Sequence, residues 1–413
     1  MTQELKNNIH RTETLSQLKK ETIWDVVVMG SSTVGLGIAL DAASRGFSTL
    51  LLDDENFNSS VCNGSSRLLM PNLSLLATPK GWKAFAKELH ECRLLLDNAP
   101  QVVTSTPVIM PFYKNYQREV WFVLLTLVSK FSRSFFGHVS WLSQTEVIRR
   151  LPGIEPSKLV GGILLNGAVV NVVGLRKSLL KTAQQYGASF LDSVSLNSFK
   201  KNDKGEVSEL IIDDVLSGEK HSIHARLFFN ATNVRIDEVR RLIAPEVENI
   251  LKCLQTTQIT VDAKCFDGST PALFVESLKS SPLECIPWNG MVQFGPQTDP
   301  CVSKSDDSEE NTPIDLLLEK AKRVMLFAPT KKNIKKVSCT EKGFFCRGNN
   351  RVKASGIHTE FKNVISVADH DFANYRKLAE QALSEAVECG LLYKRPCSTS
   401  FMSLSRLENL EKE

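Results

Sequence analysis

Hydrophobic positions change their period several times along this chain, and each change marks a predicted element. Val26, Val27 and Val28 form a continuous apolar run of the kind shown by a strand buried on both faces, and the small-residue stretch "GSSTVG" follows at 30–35. Leu36, Ala39, Leu40 and Ala43 then recur at helical spacing, and "FSTLLLDD" reads as a second parallel strand ending at Asp53. Strand, turn, helix and strand in that order open an α/β fold. Helical spacing also predicts helices over about 81–97, 174–188 and 235–243. The segment 193–232 alternates around Lys-Gly and Ser-Gly turns as an antiparallel meander does, and 272–295 reads as a further hairpin set. Residues 301–313, "CVSKSDDSEENTP", are polar and aperiodic and read as a linker.

At 413 residues, 42% hydrophobic and 23% charged, the chain is a globular protein of about two domains. Its net charge of +4 is spread along the sequence, so no nucleic-acid partner is expected. Ten cysteines without a C-x-x-C pair and a polar N-terminus point to reduced thiols in a cytoplasmic setting. His221 and His224, three apart on a predicted strand, point to opposite faces and make no metal pair. The longest apolar run, 120–128, is too short to span a membrane and reads as a core helix. Its neighbours Trp121, Phe131, Phe135, Phe136 and Trp141, beside Lys130, Arg133 and Arg149, also suit a peripheral membrane contact.

The turn holds the strongest candidate chemistry. Gly30 and Gly35 occupy the first and third positions of G-x-G-x-x-G, with Ser32 in the middle, where the backbone approaches a pyrophosphate. Asp53 stands where an acidic side chain accepts ribose hydroxyls.

Read in order, "LSQLKKETIWDVVVMG", "GIALDAASRGFSTLLLDDENF", "NAPQVVTSTPVIMPFY", "DVLSGEKHSIHARLFFNAT", "DEVRRL", "IPWNG" and "YRKLAEQAL" resemble successive landmarks of the flavin-linked glycerol-3-phosphate dehydrogenases, over roughly residues 14–388. The resemblance implies a discontinuous, Rossmann-like FAD-binding domain with an inserted antiparallel-sheet substrate domain. It implies FAD as cofactor, glycerol 3-phosphate or a related small molecule as substrate, and dihydroxyacetone phosphate as product. It further implies that hydride passes to the flavin and that electrons pass to a quinone, with peripheral contact at the inner membrane. The expected segments are an N-terminal extension at 1–22 and FAD-binding parts at 23–100, 176–240 and 336–395. A cap occupies 101–175, a substrate domain containing the linker 241–335, and a tail 396–413. The helical C-terminal domain usual in this family is expected to be missing.

Residue by residue, the resemblance places Gly30, Ser32, Gly35, Asp53, Ser65, Ser66, Arg67, Ala231, Thr232 and Asn374 against FAD. Arg67 takes the place of a lysine, and Met70, Pro71, Asn72, Ser74 and Leu75 replace His-Gly-Gly and Arg-Tyr. Asn233 replaces a glycine beside the flavin, and Phe345 an arginine that faces substrate phosphate. Arg351 falls where the family has a second arginine. Asp369, His370 and Asp371 replace Gly-Gly-Lys, so that two aspartates oppose negative charge on reduced flavin. Arg351 and His370 are the catalytic candidates, His370 as a general base, although a surface histidine between two aspartates is its plainer reading. Two functions follow: an FAD-dependent oxidoreductase with an altered site, or a non-catalytic homologue that keeps the fold as a binding or structural protein.

Overall fold

The computed structural model describes residues 3–20, 23–55, 67–131, 135–263, 273–276, 283–300, 312–326, 328–347, 351–353, 356–369 and 371–407. The chain divides into two units. The first comprises Met1–Ser60, Val173–Cys253 and Lys342–Glu408, and the second Val61–Val172, Leu254–Glu341 and Asn409–Glu413.

The first unit is built on a parallel sheet. Its strands lie in the order Val364–Ala368, Lys220–Asn230, Ile23–Met29, Thr49–Leu52 and Ser189–Leu191. Gly356–Glu360 adds an antiparallel edge. The predicted meander is present as Val194–Lys201, Val207–Asp214 and the start of Lys220–Asn230. Val26 to Met29 and Leu50 to Leu52 are buried throughout, because helices cover parallel sheets on both faces. The helix Thr33–Ser44 is buried along Val34 to Ala43 and packs against the helix Tyr375–Glu388. Gly37 permits that approach, since a Cβ there would meet Tyr375 Cδ2 at 2.8 Å.

Both ends of the chain's described part join this unit, where the sequence suggested an extension and a tail. The helix Gln3–Leu18 buries Thr14 and Leu18, and its Arg11 pairs with Asp192 at 3.0 Å and Asp214 at 2.5 Å. Toward the other end, Leu392, Met402 and Leu404 are buried. Arg395 donates to the carbonyls of Arg45 and Gly46, and Ser405 donates its N–H to Thr182 Oγ1 and its hydroxyl to Gln185 Oε1. Amphipathic segments with long-range polar anchors are part of a core, and their distance in sequence hides that.

The second unit is mainly antiparallel. Its sheet runs through most of Ile334–Arg347 and of Leu251–Asp262, then Met291–Pro300, Leu283–Trp288, Leu273–Glu276, Val103–Phe112, Gly161–Val170 and Leu68–Leu69, with Leu273–Glu276 and Val103–Phe112 a parallel pair. Val147 of the helix Gln144–Arg150 and Leu317, Leu318, Ala321 and Val324 of the helix Pro313–Val324 close over Ile109, Ile259, Val261 and Phe294. Ser143 and Glu146 cap the first of these helices reciprocally. Thr312 and Pro313 start the second helix and so do not belong to the linker; 301–311 lie outside the described residues. The unit begins at Val61, not near residue 101, and it therefore includes the helix Trp82–Asn98, which packs on the strand Val103–Phe112.

The run 120–128 differs from a core helix. It lies in the helix Asn115–Phe131, which buries Leu125 and Val128 but leaves Val120 and Val123 61% and 59% exposed. Of the aromatic neighbours, Phe135 and Phe136 are core residues, and Trp141 lies under the Arg118 guanidinium at 3.7 Å. Among the described residues no helix is long and apolar enough to cross a membrane.

Candidate nucleotide site

The site is built where the parallel strands end. Ile23–Met29 leads into Gly30, Thr49–Leu52 into Asp53, Lys220–Asn230 into Ala231–Thr232–Asn233, and Val364–Ala368 into Asp369. Ligands of doubly wound sheets bind at this carboxyl edge, where the strand order reverses. Here the reversal lies between Ile23–Met29 and Lys220–Asn230, since the chain goes from the first strand to Thr49–Leu52 on its other side.

Two glycines are required by geometry. Gly30 has φ +99°, and a Cβ there would stand 2.6 Å from the Ala231 carbonyl oxygen. A Cβ on Gly35 would stand 2.1 Å from the Gly30 carbonyl oxygen. Both distances are far inside van der Waals contact, so the turn closes only with glycine at these positions.

The serines between them are drawn into bonds with the protein. Ser32 caps the helix Thr33–Ser44: its hydroxyl accepts the Gly35 N–H at 3.2 Å and donates to the Ala231 carbonyl at 3.1 Å. Ser31, 2% exposed, donates its N–H to Asp53 Oδ2 at 2.5 Å. Arg176, from the helix Val172–Gln185, donates through Nε to the Ser31 carbonyl at 3.2 Å and through Nη2 to the Ser31 hydroxyl at 2.8 Å. Asp53 Oδ1 accepts the Glu55 N–H at 3.0 Å. Burial pushes the Asp53 carboxyl above its ordinary range, against the bonds from Ser31 and Glu55 that favour its charged form.

The third strand end is equally ordered. Ala231 is buried and its N–H bonds the Met29 carbonyl at 2.8 Å, while the Thr232 hydroxyl donates to Asn230 Oδ1 at 2.7 Å. Asn233 takes φ +55°, which asparagine tolerates better than most residues, and its buried Oδ1 has no hydrogen-bond partner among the described residues.

Gly30, Ser32, Gly35, Asp53, Ala231 and Thr232 are thus brought together, while other predicted residues have different surroundings. Asn374 ends the short turn Phe372–Asn374 and donates to Asp371 Oδ2 at 3.4 Å. Asp371 accepts the Ala373 N–H, and Asp369 accepts the Asp371 N–H. These two carboxylates bond the backbone of the turn that starts the last helix, a local reason for aspartate besides any effect on flavin charge. Arg376 pairs within its helix with Glu380 at 3.0 Å. Arg67 lies in the second unit, over the Trp288 ring at 4.4 Å. Ser74 donates to Asn72 Oδ1. Phe345 is 7% exposed and packs with Ile236, Leu251 and Ala368. Ser65, Ser66 and His370 lie outside the described residues, as does the side chain of Arg351, whose backbone pairs with Arg347. Among the described residues no three His, Cys, Asp or Glu side chains form a metal cluster.

Arg176 has no signal in the sequence, because it meets the turn from 145 residues away. The residues present fit a nucleotide diphosphate. A helix N-terminus offers backbone amides, the two glycines close the cradle, and both serine hydroxyls bond protein groups.

Comparison with known proteins agrees with this geometry. The family "DAO: FAD dependent oxidoreductase" matches residues 25–373. Mitochondrial glycerol-3-phosphate dehydrogenase of Mesocricetus auratus is 23% identical over 94% of this chain and 56% of its own length. Glycerol-3-phosphate dehydrogenase of Synechocystis sp. is 28% identical over 74% of this chain and 58% of its own length. With the Bos taurus mitochondrial enzyme the match is 30% over 54% of this chain and 33% of that protein. The chain thus spans from a third to somewhat over half of these curated relatives. The solved glycerol-3-phosphate dehydrogenase from Bacillus halodurans, complexed with FAD, superimposes with a TM-score of 0.72 at 22% identity, covering 93% of this chain and 68% of that one. By the match over 25–373, this chain belongs to the DAO family of FAD-dependent oxidoreductases.

Proposed function

We propose that this chain binds FAD at the carboxyl edge of its parallel sheet and oxidises a small hydroxy compound of the glycerol 3-phosphate class. The observation that carries the reading is the turn itself: Gly30 and Gly35 sit where no other residue fits, at the N-terminus of a buried helix and beside Asp53. The helix amides would hold the pyrophosphate, and Asp53 would accept the ribose hydroxyls through lone pairs not used by Ser31 and Glu55. Bound FAD supplies a two-electron acceptor for the hydride of an alcohol carbon. Electron delivery to a quinone, with peripheral contact at the inner membrane, is part of the same proposal and rests on the family resemblance alone.

The cations expected around a substrate phosphate are altered. Phe345 is enclosed by apolar side chains, Ser74 bonds Asn72, and Asp371 bonds the turn backbone. Arg67 and Arg351 are the remaining arginines of that set. Burial of Phe345 favours a second reading, a flavin-binding homologue without catalysis.

Purification without added flavin, a visible spectrum, and anaerobic addition of glycerol 3-phosphate test both readings. Retained flavin that bleaches supports the oxidoreductase. Retained flavin that does not bleach with this or other small hydroxy compounds supports the second reading. A protein that stays colourless after FAD is added and the excess removed overturns the proposal.

A further inference from the structure

We infer that Arg176 is a positioning residue for the nucleotide turn, acting through Ser31. This rests on the FAD reading above. The middle of the turn carries serine at 31 and 32, so the freedom that glycine gives such turns is replaced by side-chain restraint. Ser31 is held from both sides. Asp53 takes its N–H, and the Arg176 fork takes its carbonyl and hydroxyl. These are charge-assisted bonds in a place that is 2% exposed at Ser31, and they fix the peptide on either side of one residue. With Ser31 so fixed, Ser32 follows directly in its cap, and the helix amides keep one direction. A loosened Ser31 would let that direction vary, and a phosphate would have to order the turn on binding.

The test uses the full chain freed of flavin. Four variants, Arg176→Ala, Arg176→Lys, Ser31→Ala and the double variant Arg176→Ala with Ser31→Ala, are compared with the parent by FAD titration, by thermal melting and by hydrogen exchange over residues 31–35. Arg176→Ala is expected to raise the FAD dissociation constant about tenfold, with the unliganded melting temperature moving by no more than about 2 °C. Amide exchange in the turn is expected to speed up. Arg176→Lys should not rescue binding, because an ammonium cannot present the two-bond fork. Ser31→Ala should weaken binding in the same direction, and the double variant should lose less than the two single losses combined. Unchanged FAD affinity in Arg176→Ala, full rescue by lysine, or simple additivity would overturn the inference. If the parent itself takes no FAD, the proposed function fails, and the exchange measurement still decides whether Arg176 holds the turn.

Discussion

Two parts of the first unit respond differently to sequence change: the turn at Gly30–Gly35 and the apolar cluster around Phe345. The turn keeps glycine wherever a Cβ would strike a backbone oxygen, at 2.6 Å and 2.1 Å. The two residues after Gly30 are serines, whose hydroxyls bond the Ala231 carbonyl and the Arg176 guanidinium. At Phe345 an aromatic ring packs with Ile236, Leu251 and Ala368 where the family resemblance places a charge. Steric demands of the backbone are set by the fold and outlast change in the ligand. A charge that serves only a ligand can be replaced by packing, which stabilises the chain by itself.

Phe345→Arg should have the largest effect, since it buries an unpaired cation among Ile236, Leu251 and Ala368. The expected loss is about 4 kcal/mol in urea denaturation, with no gain in glycerol 3-phosphate binding by calorimetry. A stable variant that binds this ligand would mean that the cluster is a substrate pocket after all. Gly35→Ala comes next, at about 3 kcal/mol, because the Gly30 carbonyl cannot retreat without opening the turn. Its melting temperature, with and without FAD, reports both the fold and the cradle.

Asp53→Asn should change how stability depends on pH. The folded carboxyl holds its proton more tightly than the unfolded chain does, owing to burial. Its contribution to stability is therefore fully present below the unfolded value of about 4 and is lost as pH rises through the folded value. Asp53→Asn should flatten that fall in unliganded protein, measured by urea midpoints from pH 4 to 7. It should also cost about 1 kcal/mol, since one amide oxygen cannot serve both Ser31 and Glu55 as the carboxylate does. An undiminished pH slope would show that another group carries it. Asp371→Ala is the mildest change: loss of the bond to Ala373 N–H costs about 1 kcal/mol or less, read as a small drop in melting temperature.

The local half of this architecture was legible in the sequence. A buried strand, a glycine turn and an acidic residue at the next strand end are encoded by neighbours, and they stand as expected at Val26–Val28, Gly30, Gly35 and Asp53. The positive φ of Asn233 fits its place at a position where the family has glycine, because asparagine tolerates that backbone better than most residues. Arg176 was not legible, and neither was the burial of Phe345, since both depend on side chains supplied from remote segments. The structural roles of Arg11 and Arg395 were hidden likewise: an arginine that anchors a helix or a terminal segment looks, in sequence, like any surface cation.

The contact between Ser32 and Ala231 joins residues 199 apart in the chain. During synthesis from the N-terminus, the strand Ile23–Met29 therefore emerges long before its neighbour Lys220–Asn230, and Val364–Ala368, which pairs with Lys220–Asn230, comes later still. The cradle can close only once Ala231 has been made, after the segment Val61–Val172 of the second unit has left the ribosome. A nascent chain in this interval can pair Ile23–Met29 with Thr49–Leu52 on one side only, and the open edge along Val26 to Met29 invites pairing with other chains until Lys220–Asn230 arrives.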